Sequence, residues 1–595
     1  MKKLLYLGAF VALLISGCTT AKKEEKKNPV AFDSLVDAYH EERLKLFPLD
    51  ATAVGDDRYN DLFPNVLTQA YRNQVGEFFT RYKNILAGID KATLSAKDRM
   101  SYDVLSWECD INRDGLRFHD HLMPINQMAS IHLMIGQLAS GQSIQPFKTV
   151  KDYDNWLKRL DGYIEWCDTA LVNMKKGIAE KYVLPKKLTV KVIDQLAALD
   201  HGPVKDHLYY GPIANLPADF SPEEKERLTK AYEDAIANKV IPAHKKLKDF
   251  MSGEYLAAGR ETSGIDGVPD GKEYYKYLVR QFTTTTTLSP DSIFALGKSE
   301  VERITKEMEA VRDQVGYKGD MKSFFAYLRT KKELTPFKTP EEVIANFNAI
   351  HERMKPQLTK LFDKTPKTSF VVRRTEAFRE KSSAAEYVQG SKDGSRPGIF
   401  YVPIPDIKTY NTIKDEDLFL HEAIPGHHYQ VMLQMENDSL PKFRQIVGYS
   451  SYAEGWGLYA ESLGKELGLY TDPYQYFGML SGEMHRAIRL VVDAGMHSQG
   501  WTREQAIQYS LDHEPVNEAG ITQEVERYMA IPGQALSYKI GQLTILQLRH
   551  KAEKELGDKF KIAEFHNQVL DSGCIPLSVL EEKINNWIDT VKKAS

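Results

Sequence analysis

Three observations predict a mainly α-helical protein with one small β-sheet. Most of the 595-residue chain places apolar residues at helical spacing, and only two short neighbouring stretches read as strands. No Gly/Ser- or Pro-rich linker interrupts the chain beyond residue 30, which favours one large unit, of one or two lobes, over a string of domains. With 42% hydrophobic and 27% charged residues, the chain can bury a large core.

The N-terminus reads separately. Lys2 and Lys3 precede an apolar run over 4–15 that is too short to span a bilayer as a helix and the right length for a signal-peptide core. It ends in Ile15-Ser16-Gly17-Cys18, which resembles a bacterial lipobox. Residues 1–17 are therefore expected to be a lipoprotein signal and Cys18 the acylated first residue of an exported protein of the cell envelope. An ordinary secretory signal, leaving a soluble periplasmic protein, is the alternative. Residues 18–30 are charged and non-aromatic, and are expected to act as a flexible tether. Loss of Lys2 and Lys3 from 78 basic residues leaves the 82 acidic ones in mild excess, and nothing points to nucleic acid. Cys109, Cys167 and Cys574 form no metal-binding pattern; Cys109 and Cys167 are left open as a disulfide pair.

Helical elements follow in order. Phe32, Leu35, Val36, Ala38 and Tyr39 share one side of a helix over 31–43, and similar spacing recurs over 153–173 and 222–251. A Gly- and Asp-rich break at 262–271 divides an N-terminal helical lobe, 31–270, from a lobe over 271–595 that carries the chemistry. Ser289-Pro290-Asp291 caps a helix running through residue 304. Strands are expected at 369–374 and 398–403, with turn residues at 393–397. They form either a small structural sheet or an edge that receives an extended peptide.

The stretch His421-Glu422-Ala423-Ile424-Pro425-Gly426-His427-His428 reads as an HExxH zinc motif with its middle lengthened. Acidic residues Asp415, Glu416 and Asp417 open a helix that carries His421 and Glu422. A regular helix would put His428 about 10 Å along the axis from His421, too far for ligands about 2.0–2.1 Å from one zinc ion. The Pro-Gly step is therefore expected to bulge and bring His427 to the metal, with His428 as the alternative ligand or a substrate contact.

Three later segments supply what two histidines lack. In Tyr452-Ala453-Glu454-Gly455-Trp456-Gly457-Leu458-Tyr459-Ala460-Glu461, Glu454 suits a third ligand. Gly455 and Gly457 would let this helix approach the metal helix, and Glu461 either supports a ligand or is an exposed charge. His485, Arg489, Asp493 and His497 recur every four residues on an apolar helix. Asp493 could orient a histidine, and Arg489 or His497 could bind a substrate carboxylate or polarise a carbonyl; a surface salt-bridge stripe is the plainer reading. In the segment beginning Glu524-Val525-Glu526-Arg527-Tyr528, Tyr528 is preferred over Tyr538 as an oxyanion donor, with Arg527 beside it.

Together these segments resemble the bacterial family of unknown function DUF885, whose members share HEAxPGHH, EGWxxYxE, RxxxDxGxH and RYxxxPGQALxYxxG. Here they fall at 421–428, 454–461, 489–497 and 527–541. That family is similar to the Glu-zincin peptidases. The resemblance implies a multi-helix zincin-like architecture and a Zn2+-dependent peptidase acting on peptides. In it His421, His427 and Glu454 hold the metal, Glu422 takes a proton from the attacking water and passes it to the leaving amine, and Tyr528 steadies the tetrahedral intermediate. A non-catalytic peptide-binding lipoprotein, or a metal-dependent hydrolase of another amide or ester, are the competing expectations.

Overall fold

The computed structural model describes residues 31–594 apart from 378, 381 and 382. The signal sequence, Cys18 and the tether lie outside the described residues. The chain is mainly helical with one three-stranded sheet, as expected. No helix among the described residues is long and apolar enough to cross a membrane.

The first expected helix is Phe32–Leu46, burying Phe32, Leu35, Val36 and Tyr39 on one face. The second, Val150–Glu180, starts at a capping box in which Thr149 and Asp152 satisfy each other's backbone N–H groups. The third departs from regular helix. Pro222–Ala235 passes through a π turn at Ile236–Val240 into Ile241–Phe250, followed by a second π turn at Met251–Tyr255. Pro242 accounts for the first: it has no N–H to donate, and its ring would clash with the carbonyl four residues back unless the turn widens.

The apolar interior falls into two clusters. One holds most of the buried apolar residues between Ile125 and Tyr255, together with Phe63 and Leu67, while Tyr182 and Leu188 belong to the other. The other joins the first helices, through Phe32, Phe78 and Val104, to the residues from Ile265 onward. This partition by core runs across the 31–270 and 271–595 division read from the sequence. Cys109 sits in one cluster and Cys167 in the other, both buried and free, so the disulfide left open by the sequence is not formed.

Seven helices build the region around the lengthened motif. α1 (Pro290–Gln314) is capped by Ser289, with Pro290 in its first turn. α2 (Asp415–Glu422) and α3 (His427–Met435) flank the Pro-Gly step. α4 (Ser450–Ser462), α5 (Pro473–Ser498), α6 (Glu518–Ala530) and α7 (Ser537–Leu556) carry the other three segments. α1 lies along α5, and α4 along α7. The α4–α7 contact is backbone against backbone: a Cβ on Gly455 would come within 2.5 Å of Gly541 Cα, and one on Gly541 within 1.9 Å of Ser451 O. Gly455 thus serves the α7 contact, not the approach to the metal helix expected of it.

The two expected strands are β1 (Phe370–Arg374) and β3 (Gly398–Val402), which pair in parallel from Phe370 opposite Gly398. A third strand, β2 (Glu386–Val388), pairs antiparallel with the other side of β3. Three residues are too few to show an alternating pattern, which is why β2 is not legible in the sequence. Because β3 is the middle strand, it offers no edge to a peptide; the open edges belong to β1 and β2.

Gly541→Ala forces a methyl against the Ser451 carbonyl and is expected to cost about 1–3 kcal/mol, the usual range for overpacking. Urea unfolding of the two proteins measures it; equal midpoints would contradict the close α4–α7 contact.

Candidate metal centre

α2 ends at Glu422, and the chain turns through a cis Ile424–Pro425 peptide before α3 starts at His427. The Pro-Gly step is therefore a complete break between two helices, where the sequence led us to expect a bulge within one. Two contacts hold the turn. Trp456 Nε1 donates to Pro425 O at 2.8 Å, tying it to α4. Gly426 packs so closely under the end of α2 that a Cβ there would lie 2.0 Å from His421 O, so no larger residue fits.

The break brings the two imidazoles together, with ring centroids 4.6 Å apart and planes nearly perpendicular. Glu454 reaches them from α4: its Oε2 is 3.6 Å from His421 Nε2 and 3.6 Å from His427 Nε2. All three ligand atoms lie within 4.8 Å of one another, the one such group found among the described residues. A tetrahedral zinc with bonds of about 2.0–2.1 Å separates its ligand atoms by about 3.4 Å. The donor set and its spacing therefore fit a zinc ion with a position left for water.

His421 is fixed on its other side. Its Nδ1 is 2.6 Å from Glu461 Oε1, an almost fully buried carboxylate, in the arrangement that orients metal-binding histidines. Its ring lies close against α4 at Gly457, where a Cβ would come within 2.8 Å of it. Glu461 is thus a buried partner of His421, not an exposed charge.

The charges around the triad are consistent with its geometry. Burial opposes a proton on His421, but Glu454 and Glu461 outweigh it and hold the imidazole well above its ordinary range. Burial likewise works against the Glu454 carboxylate, yet the two histidines hold it well below the usual value. Glu422, adjacent to His421 and almost buried, is pushed up by burial. One turn before His421, Asp417 is raised strongly by burial and by Glu461. Sequence reasoning passed over Asp417, whose only signal was its place four residues ahead of His421 on one helix face.

His428 is not part of the cluster. It points to the sheet, with Nδ1 2.9 Å from Tyr387 Oη and its ring against Phe370, and burial lowers it to about 4. The choice between adjacent histidines is thus decided by helix phase: α3 begins at His427, and its next residue faces about 100° away.

The other expected residues form a second group. Arg489 Nε donates to Tyr528 Oη at 3.1 Å, and the guanidinium lies 4.6 Å from the centre of the Tyr538 ring. Arg489 Nη2, Arg527 Nη1 and Tyr528 Oη all donate to Glu524 Oε2, at 2.9, 3.2 and 2.8 Å. Glu524 was missed in the sequence, although it stands three and four residues before Arg527 and Tyr528 on one helix. Asp493 and His497 depart from their expected roles. Asp493 accepts from Tyr275 Oη and the Gly533 N–H instead of a histidine, and burial raises it to about 7. His497 bridges the Ile265 N–H and the Tyr528 carbonyl, fully buried, and burial lowers it to about 3. Both fix the backbone behind the site and have no exposed surface for a substrate.

A family model described as a bacterial protein of unknown function, DUF885, matches residues 48–584, and the chain belongs to that family. Two solved structures are similar along nearly the whole length. One is a "putative lipoprotein" from Colwellia psychrerythraea, 28% identical, with a TM-score of 0.84 and coverage of 94% of this chain and 99% of that one. The other, a "putative lipoprotein of unknown function" from Shewanella oneidensis, is 17% identical with a TM-score of 0.75, covering 93% and 99%. No curated protein matches the chain.

His421→Ala, His427→Ala and Glu454→Ala are each expected to lose stoichiometric zinc, and His428→Ala to keep it, by elemental analysis of the purified proteins. Zinc needs the His421 nitrogen without its proton, and Glu454 and Glu461 both favour that proton. Zinc uptake should then release protons and weaken as the pH falls, readable by calorimetry in buffers of different ionisation heat. Glu461→Gln should lower affinity by about 10–100-fold and reduce the proton release.

Proposed function

We propose that the protein is an exported, lipid-anchored zinc peptidase of Glu-zincin type that hydrolyses peptides. The observation that carries this reading is the position of Glu422 beside a His421–His427–Glu454 triad whose spacing suits zinc. Bound there, zinc would supply Lewis acidity, lowering the pKa of water and polarising a substrate carbonyl.

The chain's own groups supply the rest. Glu461 fixes the orientation of His421, with Nε2 turned to Glu454. Glu422 accepts the proton of the attacking water and returns it to the leaving nitrogen; its burial makes it a stronger base than an exposed carboxylate. Tyr528 can steady the oxyanion once its hydroxyl turns from Glu524, the acceptor it now serves. A pure binder has no use for an acid directly after a ligand histidine, which favours an enzyme over a peptide-binding lipoprotein. The lipobox at Cys18 and the two lipoprotein-like neighbours support the envelope location.

Glu422→Gln is expected to lower kcat on a peptide library by about 10²–10⁴-fold while zinc content stays unchanged. Retained hydrolysis would remove Glu422 from the mechanism, and mass spectrometry of the products would separate a peptidase from a hydrolase of other amides or esters.

A further inference from the structure

The second group of polar residues has a geometry of its own. Two guanidinia and a phenol direct hydrogen bonds to a single oxygen, Glu524 Oε2, and His485 Nε2 stands 3.6 Å from the same atom. His485 is itself held by a buried carboxylate, Glu514, 2.6 Å from its Nδ1. Arg489 is nine-tenths buried and still has Nη1 without a hydrogen-bond partner. A charged donor buried and incompletely paired is costly unless something else completes it. The acceptor filling this cradle is also its most exposed member: the Glu524 side chain is 31% exposed, against 9% for Arg489 and 17% for Arg527.

Contacts between neighbouring side chains link the cradle to the triad on two sides. Arg527 donates to Gln534, which reaches Ser450 Oγ at 3.4 Å, and Ser450 precedes Glu454 by one turn of α4, about 6 Å along the axis. On the other side, Arg489 lies one turn of α5 beyond Arg486, whose charge acts on Glu422.

We propose that Arg489 and Arg527 form a subsite for a carboxylate of the substrate, and that Glu524 occupies it as an internal stand-in until a substrate displaces it. This rests on the peptidase reading and narrows its substrate class to peptides that present a carboxylate near the cleaved bond, the free C-terminus foremost. Glu524 has rotatable bonds enough to swing outward, and an incoming carboxylate keeps both guanidinia paired, so the exchange leaves no buried charge alone. It also frees the Tyr528 hydroxyl, now committed to Glu524, to turn toward a developing oxyanion.

Equilibrium binding to the full chain carrying Glu422→Gln tests this, with trialanine, trialanine amide and Ala-Glu-Ala amide as probes. Trialanine is expected to bind about tenfold tighter than its amide, a difference of about 1.4 kcal/mol. Arg527→Gln and Arg489→Lys should each bring that ratio toward one at unchanged melting temperature, and Glu524→Gln should tighten trialanine several-fold by removing the competitor. Ala-Glu-Ala amide matching trialanine would assign the subsite to an acidic side chain, and binding like trialanine amide would assign it to the C-terminus. Equal binding of acid and amide, binding of neither, or a Glu524→Gln loss that strikes all probes alike would overturn the proposal and leave Glu524 as a strut. Acid-selective binding with no hydrolysis by the unmutated protein would instead remove the peptidase reading and keep the subsite.

Discussion

The imidazole of His421 is clamped between two glutamates of one helix. Glu461 takes its Nδ1, Glu454 faces its Nε2, and between them the α4 backbone at Gly457 leaves no room for a side chain. Glu454 and Glu461 are seven residues apart, two turns on nearly the same face, so a straight helix presents both to one ring. Everything else around the centre serves this contact. Trp456, on the same helix, holds the Pro425 carbonyl and so fixes where α3 begins and where His427 arrives. Gly455, one residue earlier, seats α4 directly on α7.

The clamp also concentrates charge that the surrounding apolar core would otherwise oppose. Asp417, Glu422, Glu454 and Glu461 converge on two histidines, with Arg486 nearby. Buried carboxylates in this density need either protons or cations. Glu454 and Glu461 favour a proton on His421, and a dication held by the triad would meet more of that need. Protonation and metal binding would thus compete at one cluster.

Much of this was legible in the chain. His421, Glu422 and Glu454 follow from residue types and spacing, and helical periodicity located the long helices. The elements that escaped did so for physical reasons. β2 is too short to carry a pattern, and the π turns after Ala235 depend on a proline whose effect on a helix can be a kink, a break or a widened turn. Glu524 and Asp417 looked like ordinary solvated acids, because only burial against distant segments turns an acid on a helix face into part of a site.

Residue types and spacing were enough to show that the chain is helical, to bring two histidines and a glutamate forward as candidate metal ligands, and to show that a regular helix is disturbed at Pro425-Gly426. Those are local facts, set by side-chain period and by backbone sterics. Tertiary structure alone decided that His427 and not His428 faces Glu454, that Glu461 pairs with His421 while Asp493 and His497 brace the backbone, and that Arg489, Arg527 and Tyr528 close on Glu524. Each of these depends on which helix face meets which neighbour. That is settled by close contacts between segments distant in the chain, and no local pattern encodes it.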